Sequence, residues 1–225
     1  MRKILLLWLV LMASALNLQA QEKEYMYEIG MGGGMSWAYG DINRSSLIYD
    51  PSGAGELLFR YNANLRWSIA IDLSSNGLKG DTRDFDNQFP HPGQYTADAR
   101  YWQLGIRPEF TFWNYGWGAD YREKHRLAPF LTAGVGFGYC TGNEKDCGAL
   151  SLPLGIGLKW KMAPRWDLQL TSLWAKTFSD GLDGVTDPYN IGTTVPMNTD
   201  WVSSIMLSVT FCFKERCIEC HNQKN

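Results

Sequence analysis

Beyond residue 25, large apolar side chains alternate with small or polar ones along most of the chain. Tyr27, Ile29, Met31, Met35 and Trp37 share one phase, while Glu28, Gly30, Gly32, Gly34 and Ser36 share the other. Trp67, Ile69, Ile71 and Leu73 oppose Arg66, Ser68, Ala70 and Asp72 in the same way. Similar runs cover 56–61, 102–112, 131–139, 150–162, 166–174 and 201–213. A period of two places successive side chains on opposite faces of a strand. A helix would carry these glycines at about 1 kcal/mol each.

The runs number eight, and most have the length a tilted strand needs to cross a bilayer. An even count suits a bacterial membrane barrel. One phase carries Leu, Ile, Phe and Trp; the other carries glycines and charges. A soluble up-and-down barrel or a β-sandwich would bury its apolar face, leaving no interior for the small and charged phase. The pattern therefore predicts an all-β fold, an eight-stranded antiparallel transmembrane β-barrel. Pro108 and Pro153 each remove a ladder hydrogen bond, which predicts a bulge or local bend. The links 40–53, 75–98 and 178–199 are long, and 62–65 and 163–165 are short. Long links of such barrels are extracellular, so both termini are expected in the periplasm. The link 114–126 breaks the alternation and carries Arg122, Lys124 and Arg126. It reads either as a solvated turn or as a docking surface for a periplasmic partner.

The N-terminus changes the picture of where the chain goes. Arg2 and Lys3 precede an apolar run from Ile4 to Leu11, and Leu18-Gln19-Ala20 reads as a cleavage site. The run is too short to span a bilayer and fits a signal peptide. The expected division is a signal peptide at 1–20, a barrel at 21–213 and a periplasmic tail at 214–225. Without Arg2 and Lys3 the formal charge moves from −2 to −4, which gives no basic face for nucleic acid. Ten Trp, eleven Tyr and 23 Gly, with no later apolar run of helical length, suit a membrane barrel with lipid as its solvent.

Charges on the small-residue phase are expected to face the lumen: Glu28, Glu56, Arg60, Arg66, Asp72, Arg107, Glu109, Lys159, Lys161 and Asp167. Both signs are present, so they can pair, and eight strands enclose an interior that side chains fill. A structural plug is expected rather than a conducting pore. The three histidines are His91, His125 and His221, and no strand sets one beside a serine on the same face. An enzyme, including a lipid-modifying one, is not expected. Asp180, Asp183 and Asp187 lack the spacing of a calcium loop.

Five cysteines remain. Cys140 and Cys147 flank a six-residue outer loop, where a disulfide would add about 2–3 kcal/mol. Cys212, Cys217 and Cys220 lie at the end of the last strand and in the tail. An odd number in an exported chain suggests an intermolecular bond, with Cys217 or Cys220 favoured over Cys212. Cys217-Ile218-Glu219-Cys220-His221 matches a haem-attachment pattern, but only four residues follow it and no apolar module encloses a porphyrin. A zinc site from these cysteines and His221 would compete with oxidation in that compartment. No cofactor or metal is expected.

Several stretches resemble one family. Glu28-Ile29-Gly30, Trp37 to Asn43, Arg107 to Tyr115, Ala128 to Gly136 and Pro153 to Lys159 are similar to its strands. Lys176-Thr177-Phe178-Ser179-Asp180-Gly181-Leu182-Asp183-Gly184-Val185 resembles its phrase after the seventh strand, with glycine at 181 and 184 where the family carries an aromatic and an acid. The family is the PorG-like group of Bacteroidota outer-membrane β-barrels. The resemblance implies a component of the type IX secretion system, held against a periplasmic ring of a PorK-like lipoprotein and a PorN-like protein. The alternative is a structural or adhesive surface barrel whose outer loops act.

Overall fold

The computed structural model describes residues 24–39, 50–81, 96–117, 124–141, 147–178 and 201–216. Nine strands follow one another: β1 Tyr25–Tyr39, β2 Ser52–Asn62, β3 Trp67–Asp81, β4 Thr96–Thr111, β5 Leu127–Ala133, β6 Val135–Thr141, β7 Cys147–Ala163, β8 Trp166–Thr177 and β9 Trp201–Glu215. All pairings are antiparallel, and β9 returns to pair with β1, which closes the sheet. The strands β5 and β6 are two halves of one crossing. Both pair with β4 on one side and β7 on the other, at a register that does not change across Gly134. The barrel therefore has eight crossings.

The break at Gly134 has a local cause. Its neighbours across the sheet include Pro108 and Pro153, neither of which has an N–H to donate. Gly134 N still donates to Pro153 O at 2.9 Å. The two prolines thus interrupt the strand between them, instead of bulging their own strands as expected from sequence. The one register shift in β7–β8 lies elsewhere, between Lys161 and Ala163.

Registers also fix the tilt. The path Ile29, Phe59, Ile71, Ile106, Val135, then Leu152 at unchanged register, Lys176 and Trp201 returns to β1 at Tyr39, ten residues from its start. A stagger of that kind is what closure of a tilted sheet requires, and eight strands leave an interior that side chains can fill.

The polarity is inverted relative to a soluble protein. Met31 is 68% exposed, and Ile29, Leu104, Phe137 and Leu154 are exposed with it. Arg60, Arg107 and Glu109 are each 1% exposed. At the end where Tyr25 pairs with Glu215, here the lower end, outward aromatic rings gather. Tyr27 lies 5.8 Å from Phe59 and 5.7 Å from Phe213, and Trp166 lies 5.0 Å from Phe211. Such a girdle marks a membrane–water boundary. Trp37, assigned by alternation to the outer face, is 3% exposed near the upper end.

Candidate functional site: a sealed lumen and its lower mouth

Every charged lumen residue is delivered by strand alternation. Inward positions are even on β1, β2, β3 and β9 and odd on β4, β7 and β8. Arg60 is the hub. Its Nη1 pairs with Glu28, its Nε lies 2.8 Å from Glu109 Oε2, and its Nη2 donates to Gln169. Lys159 Nζ lies 2.7 Å from the same Glu109 oxygen, and Ser68 Oγ donates to it at 3.2 Å. Glu28 also accepts from Asn62 at 2.7 Å and Thr210 at 3.2 Å. Above this hub, Arg107 Nε sits 3.0 Å from Asp72 Oδ1, and its Nη2 lies 3.9 Å from Glu56. Below it, Lys161 Nζ lies 2.9 Å from Asp167 Oδ1 and donates to Cys212 Sγ at 3.3 Å.

Buried charge on this scale is tolerable when each ion has a partner and further hydrogen bonds. The upper lumen is different. Ala38, Leu78, Ala99, Tyr101, Cys140, Ala175 and Val202 form a buried apolar cluster there. Gly138 makes room for it, because a Cβ at that position would collide with the Tyr101 ring. The lumen is thus charged below and apolar above.

The lower mouth is covered. Asn114 to Gly116 run beside His125, with His125 N donating to Asn114 O at 2.7 Å and Gly116 N to His125 O at 3.2 Å. Tyr115 and Lys124 are carried beneath the barrel and line a cavity of about 60 Å³ with Glu28, Lys161, Cys212 and Arg216. Burial, then the charges of Asp167 and Glu28, push the Tyr115 phenol well above its ordinary pKa. Arg216 N donates to Glu24 O at 2.7 Å, and its guanidinium donates to Asn62 O. The end of β9 is therefore tied across the mouth.

The closed sheet, the inverted polarity and the filled lumen describe a membrane barrel. The outer membrane protein beta-barrel domain matches residues 5–209 of the chain. The chain belongs to that family. Among solved structures, Neisserial surface protein A (NspA) is similar with a TM-score of 0.53 at 13% identity, covering 83% of this chain and 97% of its own. Ail, the attachment invasion locus protein of Yersinia pestis, gives 0.48 at 16% identity, with 84% and 99% covered. OprG from Pseudomonas aeruginosa gives 0.47 at 11% identity, with 84% and 97% covered. At such identities the likeness concerns the fold alone. No curated protein matches.

In this outer-membrane barrel, Glu28, Arg60, Arg107, Glu109, Lys159 and Asp167 all enter the lumen network. Arg66 does not. It sits in the exposed turn before β3 and its Nε donates to Asn114 at 3.0 Å, because the strand begins one residue later and leaves it at the mouth. Lys124 is not a solvent-facing docking residue. Its side chain is 2% exposed, with Nζ 3.7 Å from Glu24, since this side of the link folds under the barrel. Arg126 stays exposed and stacks 3.9 Å over the Trp117 ring. Cys212 is no tether: it occupies an inward position, is 1% exposed, and its Sγ donates to Asp167 Oδ2 at 3.3 Å.

Donor atoms of Glu28, Asp167 and Cys212 lie within 4.8 Å of one another. The Lys161 ammonium already bonds the carboxylate and the thiol, so this donor set has its cation. Cys140 and Cys147 are Cα partners across β6 and β7, but Cys140 is a buried cysteine outside any disulfide, so the bridge expected from sequence is not formed in this structure. Arg122, Cys217, Cys220, His91, His221, the acidic residues 180, 183 and 187, and the expected signal peptide lie outside the described residues.

Sequence reasoning missed Gln169, Tyr115 and the apolar cluster around Tyr101. Gln169 was legible as an inward position beside Asp167. Tyr101 and Ala99 continue the phase of Gln103, but the outward residues there are polar and hid the strand.

Proposed function

We propose that the protein is a non-enzymatic outer-membrane component of the type IX secretion system. In this reading the barrel anchors the protein, and its lower end, placed in the periplasm, holds a ring built from a PorK-like lipoprotein and a PorN-like protein. The observation that carries the anchor role is the filled lumen. With ion pairs below and an apolar cluster above, little is left for a solute path, and function falls to the ends. The lower end offers a partner the exposed Arg126 and Arg165 and the tail beyond Arg216. The tail cysteines Cys217 and Cys220 are the candidates for a disulfide to the lipoprotein. The likeness of Lys176 to Val185 to the family's loop phrase supports the choice of system.

The test separates the two ends. Residues 217–225 are deleted in one strain, and residues 83–94 and 180–199 are replaced by short linkers in another. Loss of the co-purifying lipoprotein and of secretion with the first change alone is the expected result. Loss of surface attachment with the second change, and intact secretion with the first, would overturn the proposal in favour of an adhesive barrel.

A further inference from the structure

We infer that the cavity at the lower mouth is a binding site for one small tetrahedral oxyanion of the phosphate class, gripped by Arg66 and Arg216. This inference does not depend on the secretion reading.

The cavity lies within the ring of strands, not on the lipid face. Its wall takes inward residues from crossings all round that ring: Glu28 of β1, Ser68 of β3, Thr111 of β4, Lys159 of β7 and Cys212 of β9. A lipid headgroup stays outside the ring with its tails, so the ligand comes from the water below. The way in is the exposed turn that carries Asn64 and Arg66.

Charge decides what that solute is. Five cations line the cavity, Arg66, Lys124, Lys159, Lys161 and Arg216, against two carboxylates, Glu24 and Glu28. Most of these groups are matched. Lys124 faces Glu24, Lys159 faces Glu109, Lys161 faces Asp167, and Glu28 faces Arg60. The two arginines have neutral partners. Arg66 Nε donates to the side-chain oxygen of Asn114 at 3.0 Å, and Arg216 Nη2 donates to the backbone oxygen of Asn62. Among the described residues, four cations therefore balance four carboxylates, and Arg66 and Arg216 remain as surplus positive charge.

Each guanidinium keeps N–H donors beyond the one spent on a neutral oxygen. Its planar fork matches the edge of a phosphate or sulfate two bonds at a time, a fit that an ammonium lacks. Size agrees with charge. A cavity of about 60 Å³ takes roughly four waters, and a tetrahedral oxyanion presents four oxygens in their place. One ion shared by both arginines would tie the turn before β3 to the end of β9.

The experiment is calorimetric titration of the full-length protein, folded in zwitterionic detergent, with inorganic phosphate in a chloride buffer of constant ionic strength. Sulfate and acetate are titrated in parallel. Saturable binding of phosphate and of sulfate, and none of acetate, is expected. Arg66→Gln and Arg216→Gln should each weaken phosphate binding about tenfold or more, since each removes a charge-assisted contact. Lys79→Gln, which removes an exposed cation near the upper end, should leave it unchanged. Heat modifiability first shows which variants are folded. Arg66 lies in an exposed turn, so its variant decides the matter even if loss of the Arg216 contact with Asn62 unfolds the barrel. No saturable heat, equal binding of acetate, or full phosphate affinity in Arg66→Gln would overturn the inference. So would a comparable loss in Lys79→Gln, which would mark a general effect of surface charge.

Discussion

The Arg60 guanidinium on β2 lies 2.8 Å from the Glu109 carboxylate on β4, so the pair reaches past β3 rather than linking adjacent strands. Lys159 leans on the same carboxylate from β7. Removing one member of a buried pair leaves its partner charged and unsolvated. Glu109→Leu should therefore lower the unfolding free energy by about 3–5 kcal/mol in detergent, read from urea titration of the heat-modifiable form. Arg66→Ala, at the exposed mouth, should stay within about 0.5 kcal/mol.

The outer face gives the opposite sensitivity. Ile69 is 45% exposed and Val135 is 54% exposed, both on the hydrocarbon-facing phase. Arginine there should cost about 2–4 kcal/mol near the bilayer midplane. Ile69→Arg and Val135→Arg are expected to refold poorly into lipid vesicles, while Ile69→Leu refolds as wild type. Normal refolding of both arginine variants would reverse the face assignment.

Two independent seals close the lumen, and each can be removed alone. The wild-type protein should show no steady conductance steps in planar bilayers. Neither should the Leu78→Gly, Tyr101→Gly variant, because the ion-pair network below remains in place. A resolved channel in the variant would mean that the upper cluster is the whole barrier.

Tyr115 supplies a pH signature. Its phenol is pushed above the ordinary value of 10.0, mainly by burial and then by the Asp167 and Glu28 charges. Below pH 10 both folded and unfolded chains keep this proton, and stability does not depend on it. Above pH 10 the unfolded chain releases the proton and the folded chain does not. The unfolded state then binds fewer protons, so stability falls as pH rises. Tyr115→Phe should flatten that alkaline fall and change little at pH 7. Parallel stability curves for the two proteins between pH 9 and 11 would contradict it.

Much of the fold was legible because membrane and lumen impose opposite chemistries on alternate residues. Ile69 and Asp72 declare their faces by composition alone. The reading stopped where the membrane stops. β3 runs on to Asp81 and β4 begins at Thr96, inside what the sequence suggested was the loop 75–98. Outward residues there include Lys79 and Arg100, which face water above the hydrocarbon and need not be apolar. Arg100 Nη1 donates to Ser75 Oγ at 3.1 Å, a contact that hydropathy does not announce. Cys212 is a different case. Its phase with Ser208 and Thr210 placed it inward, and that phase outweighs its nearness to the tail. Lys124 could not be read at all, because it depends on how a link folds back beneath the barrel.

The hub around Arg60 joins Glu28, Glu109 and Gln169 from the first, fourth and seventh crossings. Glu56 on the second crossing accepts from Ser208 on the last. None of these partners is available to a strand that enters the bilayer by itself. A lone crossing would carry an unpaired ion and two open backbone edges into hydrocarbon, where both are costly. Bare insertion of single strands into hydrocarbon is therefore costly, and the charge network is complete only once the first and last strands have joined.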